Sequence, residues 1–429
     1  MSDATEVPDT DAPATADGGG TPDEARSDDS VLATIRSYTR TWWVRVRAGE
    51  LGSLPIIVGL ALIVLVFGLA EDVFISPRNF TNLLLQMAGI ATIAIGIVFV
   101  LLIAEIDLSV AFVSAVGGVI MVMLLRPDDP GWPWPLAVGA ALLATTLIGL
   151  ATGLLVTKAG VPSFVVTLAG LLIWSGVVLT LTTQASTSGT IRIQDDTVND
   201  IAGAFLSDAQ GWVLGIVSVG LFAFTQLRTA QLRRARGLVT KPLVILLAQV
   251  VGMAVVVGWA VSYANQDRGV PFVMVIVVLF LVFWSFVAAR TRFGRHVYAV
   301  GGSPEAARRA GINVDGIRIA VFMISGFMAG AGGIILASRI RSVSTGTGGG
   351  NLLLNVIAAA VIGGTSLFGG RGRPVNALLG ALVIASVANG MDLLGLASGT
   401  KFIVTGLVLL AAVLVDSLSR KGRASAGMV

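Results

Sequence analysis

Apolar residues run along this chain in long blocks separated by short polar breaks. Twelve blocks are legible, at residues 51–70, 83–103, 107–125, 136–157, 161–182, 211–227, 242–263, 271–289, 318–338, 353–369, 374–394 and 401–417. Most reach the roughly 17 to 25 residues that carry a helix across a bilayer. The pattern predicts an all-α, polytopic membrane helix bundle of about twelve transmembrane helices (ten to twelve), with both termini cytoplasmic. The short alternating segments of a membrane β-barrel are absent from the sequence.

The polar ends and breaks then divide the chain. Residues 1–35 are rich in Asp, Thr, Pro and Gly and lack the apolar content for a core, which predicts a disordered acidic cytoplasmic tail. Residues 36–50 form a basic interfacial segment, where Arg36, Arg40, Arg45 and Arg47 accompany Trp42 and Trp43 at headgroup level. The transmembrane domain occupies 51–420, with a cytoplasmic loop at 290–317, and 421–429 form a second cytoplasmic tail. No secretory signal is expected, because the first apolar block follows the basic segment.

Composition agrees: 55% of residues are hydrophobic and 13% charged, against about 25% charged in soluble domains. A formal charge of +4 suggests nucleic acid in a soluble protein, but in a membrane chain basic loops set orientation, so no nucleic-acid partner is expected and membrane lipid is. The twelve-span topology places 22 of the 29 Lys and Arg on the cytoplasmic side and 7 outside, as the positive-inside rule requires. Arg339 and Arg341 lie together on the outer side and strain that count. The external segment from Thr183 to Gln210, with Asp195, Asp196, Asp200 and Asp208, reads as a solvated loop.

Candidate chemistry is sparse. The chain has no cysteine and one histidine, His296, which excludes disulfides and argues against a zinc or haem site. Phosphate-loop, metalloprotease and nucleophile-elbow motifs are missing, so neither an enzyme active site nor a cofactor or metal is expected. The run Gly363 to Gly370, GGTSLFGG, has the glycines of a phosphate loop but no lysine; close helix packing or an unwound helix is the better reading.

Polar residues inside apolar blocks are the pathway candidates. Glu105, Asp107 and Ser109 occupy a break with almost no connector, a discontinuity tolerated only where backbone is buried in protein or faces a water-filled cavity. Asp107 has two roles open to it: N-cap of the following span, or lining of a translocation path together with Ser109. Asn82 and Gln86 stand one helical turn apart and could face one side of a pore. Asn355, Thr365, Ser366, Asn376, Asn389 and Asp392 are spread through the last three spans, where helix-to-helix hydrogen bonds explain such groups as readily as substrate does. Gly326, Gly330 and Gly333 have the spacing of close helix packing. The Gly-rich run at 363 mirrors the break at 105, and matched interruptions in two halves point to a midplane transport site.

The basic loop contains a written helix. Ser303 is the N-cap, Pro304 the first helical residue and Glu305 a first-turn acid; Ala306 and Ala307 continue it, Arg308 and Arg309 close it, and Gly311 stops it.

Four ordered stretches carry a family resemblance: IDLSV (Ile106 to Val110), VPSFVVTLAGLLIWSG (Val161 to Gly176), GRHVYAVGGSPEAARRAGI (Gly294 to Ile312) and VIGGTSLFGGRG (Val361 to Gly372). Across about residues 50 to 420 the chain resembles the permease subunits of bacterial ABC importers for monosaccharides, of the ribose and xylose type. The resemblance implies a channel of two permease copies in the cytoplasmic membrane, two cytoplasmic ATP-binding subunits that hydrolyse ATP, and an extracytoplasmic sugar-binding protein. It also implies that Gly301, Gly302 and the segment from Ser303 to Gly311 contact the ATPase. Ala104 and Glu105 stand where ribose-type members carry two glycines, and the added spans between Gln210 and Ala289 likewise resemble the xylose type. Ala111 replaces a usual glycine. Xylose or a related pentose is the expected substrate. An ion- or proton-coupled secondary transporter using Glu105, Asp107 and Asp392 as its relay is the alternative.

Overall fold

The computed structural model describes residues 54–127, 130–238 and 242–425. The acidic tail at 1–35 and the basic segment at 36–50 lie outside the described residues, as do the last four of the C-terminal tail. Each apolar block corresponds to a helix. In order these are α1 (Leu54–Ala70), α2 (Pro77–Leu102), α3 (Val110–Leu124), α4 (Trp134–Lys158) and α5 (Ser163–Ala185). A short strand β1 (Thr190–Arg192) and helix α6 (Asp196–Gly203) lead into α7 (Asp208–Ala235), α8 (Leu243–Ala264) and α9 (Val273–Arg290). Then come α10 (Arg292–Gly302), α11 (Pro304–Arg309), α12 (Val314–Ile340), strand β2 (Ser342–Ser344), α13 (Leu352–Ile362), α14 (Pro374–Leu393) and α15 (Ser398–Ser425). Among the described residues, eight helices are long and apolar enough to cross a membrane, while α1, α3, α13 and the apolar part of α15 are shorter. The chain is a multi-pass helical membrane protein.

The centre of the bundle is α12, which packs on α4, α2 and α3. Its glycines permit this. A Cβ at Gly333 would lie 2.6 Å from the Ser114 carbonyl carbon of α3, and one at Gly326 would lie 3.1 Å from that of Thr145 in α4. Small residues let helix backbones close up where lipid offers no hydrophobic incentive to associate. The other central helix, α2, is buried almost continuously from Met87 to Leu102. By contrast α7 packs mainly on α8, and of its residues only Gly211 and Gly215 are buried.

Two expectations change. The segment after α5 is built rather than a solvated loop. Thr190 to Arg192 pair antiparallel with Ser342 to Ser344, and α6 is capped by Asp195, whose carboxylate accepts from Val198 N–H at 2.9 Å. Ile191, Ile193, Val198 and Ala202 are buried beneath it, and that alternation with the acids makes the segment amphipathic. Arg341, awkward on the outer side, is the left-handed cap of α12 (φ 58°) and accepts a backbone bond from Ile193. The block at 353–369, expected as one span, stops as a helix at Ile362, and residues 363–373 are irregular.

Candidate functional site

The C-terminal end of α2 is where the singled-out segments meet. The chain leaves the helix through Ala104, a non-glycine residue at φ 59°. It then runs between α5 and α12: Ile106 N–H donates to Ser163 Oγ at 3.3 Å, and Thr167 Oγ1 donates to Ile106 O at 3.3 Å. Glu105 Oε1 lies 3.2 Å from Arg318 Nε, an ion pair without the alignment of a hydrogen bond. Asp107 is buried and saturated. Its Oδ1 accepts from Ser109 N–H (3.0 Å) and Ser109 Oγ (2.7 Å), and its Oδ2 accepts from Ser325 Oγ at 2.8 Å. Arg318 is in the second turn of α12, whereas Ser325 lies about 16 Å along it at 1.5 Å per residue. The segment Ile103 to Ser109 therefore climbs to near the middle of α12 before α3 begins. The N-cap of α3 is Ser109, with Asp107 two residues ahead bonding its backbone and hydroxyl.

The second interruption adjoins the first. Gly370 N–H donates to Leu102 O at 2.8 Å, and Gly301, in the last turn of α10, is pressed between the two. A Cβ on Gly301 would stand 2.7 Å from Gly370 N and 2.8 Å from the Leu102 carbonyl carbon, with Leu102 O nearer still. Tyr298 Oη donates to Gly372 O at 2.7 Å, and burial pushes its phenol above the ordinary value, Arg373 opposing. Thr365 and Ser366 are buried here. Ser366 Oγ accepts from Phe368 N–H at 3.2 Å, while the Thr365 hydroxyl has no partner among the described residues.

The helix written into the basic loop is present as α11. Ser303 Oγ accepts from Ala306 N–H at 3.2 Å, Pro304 opens the helix, Glu305 lies in its first turn, and Arg308 in its last. Ala307 is its buried contact, and Gly311 follows at φ +81°. Gly302 has open space around it. The segment before it, α10, is a helix where a loop was expected. Thr291 Oγ1 caps it by accepting from Gly294 N–H at 3.1 Å, and Val297 and Val300 are its buried face.

The remaining candidates lie elsewhere. Asn82 Oδ1 accepts from Arg268 Nη2 at 2.9 Å at the opposite end of α2, while Gln86 is half-buried one turn further on. Asn355 is half-buried in α13. Asn389 forms a buried reciprocal amide pair with Asn79 at 2.7 and 3.0 Å, a helix-to-helix bond. Asp392 accepts from Lys401 at 2.5 Å. Sequence reasoning missed Arg318, Ser325, Tyr298 and Asn79. Nothing local distinguishes them; their partners are distant in the chain.

Comparison with known proteins identifies the family. Residues 79–413 match the family described as the branched-chain amino acid transport system / permease component. The xylose transport system permease protein XylH of Escherichia coli K12 is 37% identical over 353 residues, 82% of this chain and 88% of that protein. Its Haemophilus influenzae counterpart is 36% identical over 374 residues, 85% and 96% of the two chains. The ribose import permease protein RbsC of E. coli K12 is 32% identical over 383 residues, 89% and 96%. No solved structure matches. The resemblance drawn from the four motifs holds, and the chain belongs to this family of membrane permeases.

Proposed function

We propose that this chain is the transmembrane permease of an ATP-driven ABC importer that carries a monosaccharide, xylose or a related pentose, across the cytoplasmic membrane. It works as two copies with two cytoplasmic ATP-binding subunits and an extracytoplasmic sugar-binding protein. All twelve apolar helices span, which puts both termini and α11 in the cytoplasm. The observation that carries this reading is the joint at Gly301, where the segment bearing α11 rests on backbone of both interrupted spans. An ATPase bound to Gly301, Gly302 and Ser303 to Gly311 would act on both through that contact.

The pathway in this reading runs past the two interruptions, with Glu105, Asp107, Ser109, Thr365 and Ser366 near its inner half and Asn82, Gln86 and Asn355 further out. Thr365 is buried, and its hydroxyl has no partner among the described residues, which leaves it able to bind a sugar hydroxyl if the pathway opens beside it. Glu105 and Asp107 already hold fixed partners on α12, which favours ATP-driven transport over a carboxylate relay.

The test is uptake of labelled xylose and ribose by cells whose other routes are removed. Vanadate-sensitive xylose uptake that disappears with this gene supports the proposal. Unchanged uptake removes the substrate assignment, and vanadate-insensitive uptake removes the ATPase.

A further inference from the structure

The C-terminal end of α7 carries a cluster of arginines, of which Arg228 lies 5.9 Å from the ring centre of Phe224. Arg228, Arg233, Arg234 and Arg236 are exposed, and among the described residues none has a carboxylate within 4 Å. The end of α9 joins them: Arg290 Nη2 donates to Thr229 Oγ1 at 2.6 Å, and Arg290 too lacks an acidic partner. Elsewhere Lys158 and Arg308 share Asp315 and Arg318 has Glu105, while Arg292, Arg295, Arg309, Arg371 and Arg373 likewise have no carboxylate within 4 Å among the described residues.

Geometry places this cluster at a bilayer surface. With 28 residues, α7 is about 42 Å long at 1.5 Å per residue, some 12 Å more than a hydrocarbon core of about 30 Å. From Gly211 to Arg228 the rise is about 26 Å, so Arg228 stands near one interface and Arg233 to Arg236 just beyond it. The helix is peripheral, and Phe224, Leu227 and Leu232 between the arginines are exposed apolar side chains suited to acyl chains. Alternation of exposed apolar residues with unpaired arginines at this depth fits a phospholipid better than a soluble protein, which would be offered charge without buried lipid-facing leucines.

We propose that the arginine-bearing end of α7, with Arg290, binds the headgroups of anionic phospholipids. Clustered basic residues next to a span attract an anionic leaflet by about 1 kcal/mol per Lys or Arg.

The test counts phospholipid bound to the purified full-length chain by native mass spectrometry during titration with phosphatidylglycerol or phosphatidylcholine. Phosphatidylglycerol is expected to bind preferentially. The R228Q/R233Q/R234Q/R236Q variant is expected to weaken it at least about tenfold, leaving phosphatidylcholine unchanged. The corresponding four-lysine variant should retain the preference to within about threefold, which also controls for folding. Equal affinity for the two lipids in the natural chain overturns the proposal, as does full phosphatidylglycerol binding by the glutamine variant or its loss in the lysine variant. Unchanged lipid binding with loss of a co-purifying nucleotide-binding subunit would make this a protein-docking surface and overturn it equally.

Discussion

Replacing Gly301 by Ala tests the joint between α10 and the interrupted spans, and Gly302 beside it is the control. A methyl on Gly301 would stand 2.7 Å from Gly370 N and 2.8 Å from the Leu102 carbonyl carbon, against 3.4 Å for ordinary contact. Even the gentler of these needs a shift of about 0.6 Å, and the Leu102 oxygen needs more. All the atoms met are backbone, so no rotamer change relieves them. Overpacking of this kind costs about 1–3 kcal/mol, and loss of the Gly370 to Leu102 hydrogen bond adds about 0.5–1.5. Removing a helical glycine returns about 0.5–1 kcal/mol. The net expectation is a loss of about 0.5–4 kcal/mol. A methyl on Gly302 meets nothing within 4 Å, so only the gain from removing a helical glycine remains and the variant should be neutral or slightly more stable. Thermal unfolding of the two purified variants in one detergent reads the difference. Equal unfolding temperatures, or greater damage from G302A, would refute the reasoning. In an assembled importer, G301A should also lose uptake per ATP hydrolysed.

Four other predictions follow from the same neighbourhood and from α2. Ala104 sits at φ 59°, which costs a residue with a Cβ about 1–2 kcal/mol. After the greater unfolded-state entropy of glycine, A104G should stabilise the chain by up to about 1 kcal/mol, measured by thermal unfolding. The Asn79–Asn389 pair should give a double-mutant coupling to Ala of about 0.6–1.7 kcal/mol, the range for hydrogen bonds between membrane helices. E105A leaves Arg318 half-buried without its carboxylate and should destabilise more than the E105L/R318L double change, because an unpaired buried charge is worse than an apolar pair; chemical denaturation orders the two. Tyr298 has its phenol raised above 10.0 by burial. A raised folded-state value means stability present below pH 10 is lost as pH climbs above it, and that alkaline loss should be smaller in Y298F.

What could be read from the sequence was the local chemistry. The cap of α11 is decided within a few residues, by a Ser hydroxyl three positions ahead of its N–H partner and a proline that needs no donor, so Ser303, Pro304 and Gly311 announced it. The neighbouring α10 escaped notice because glycines at 294 and 301 interrupt its apolar face. The block at 353–369 was drawn too long for a related reason. Hydropathy counts Leu367 and Phe368 as span, while the backbone has already turned at Gly364, with φ +91°. The break at Glu105 to Ser109 was visible as charge without a connector. Its partners were not, because Arg318 and Ser325 lie more than 200 residues away and neither residue type is unusual where it stands.

The short helices α3 and α13 give these contacts their mechanical meaning. At 15 and 11 residues they rise about 22 and 16 Å, less than a hydrocarbon core of about 30 Å, so in the proposed twelve-span topology irregular chain completes each crossing. Ile103 to Ser109 does so for α3 from the basic face. For α13 the completing chain comes from the opposite face, where a Cβ on Gly348 would lie 2.8 Å from Ala111 O at the start of α3. The two helices thus begin near one another, and the backbone leading away from each toward the basic face reaches Leu102 or Gly370, the two flanks of Gly301. A push transmitted through side chains is softened by rotamer changes, whereas these contacts are backbone against backbone and have no such slack. A displacement of α11 therefore arrives at both interrupted spans together, and transport in which only one of them moves would require the bond between Gly370 and Leu102 to break.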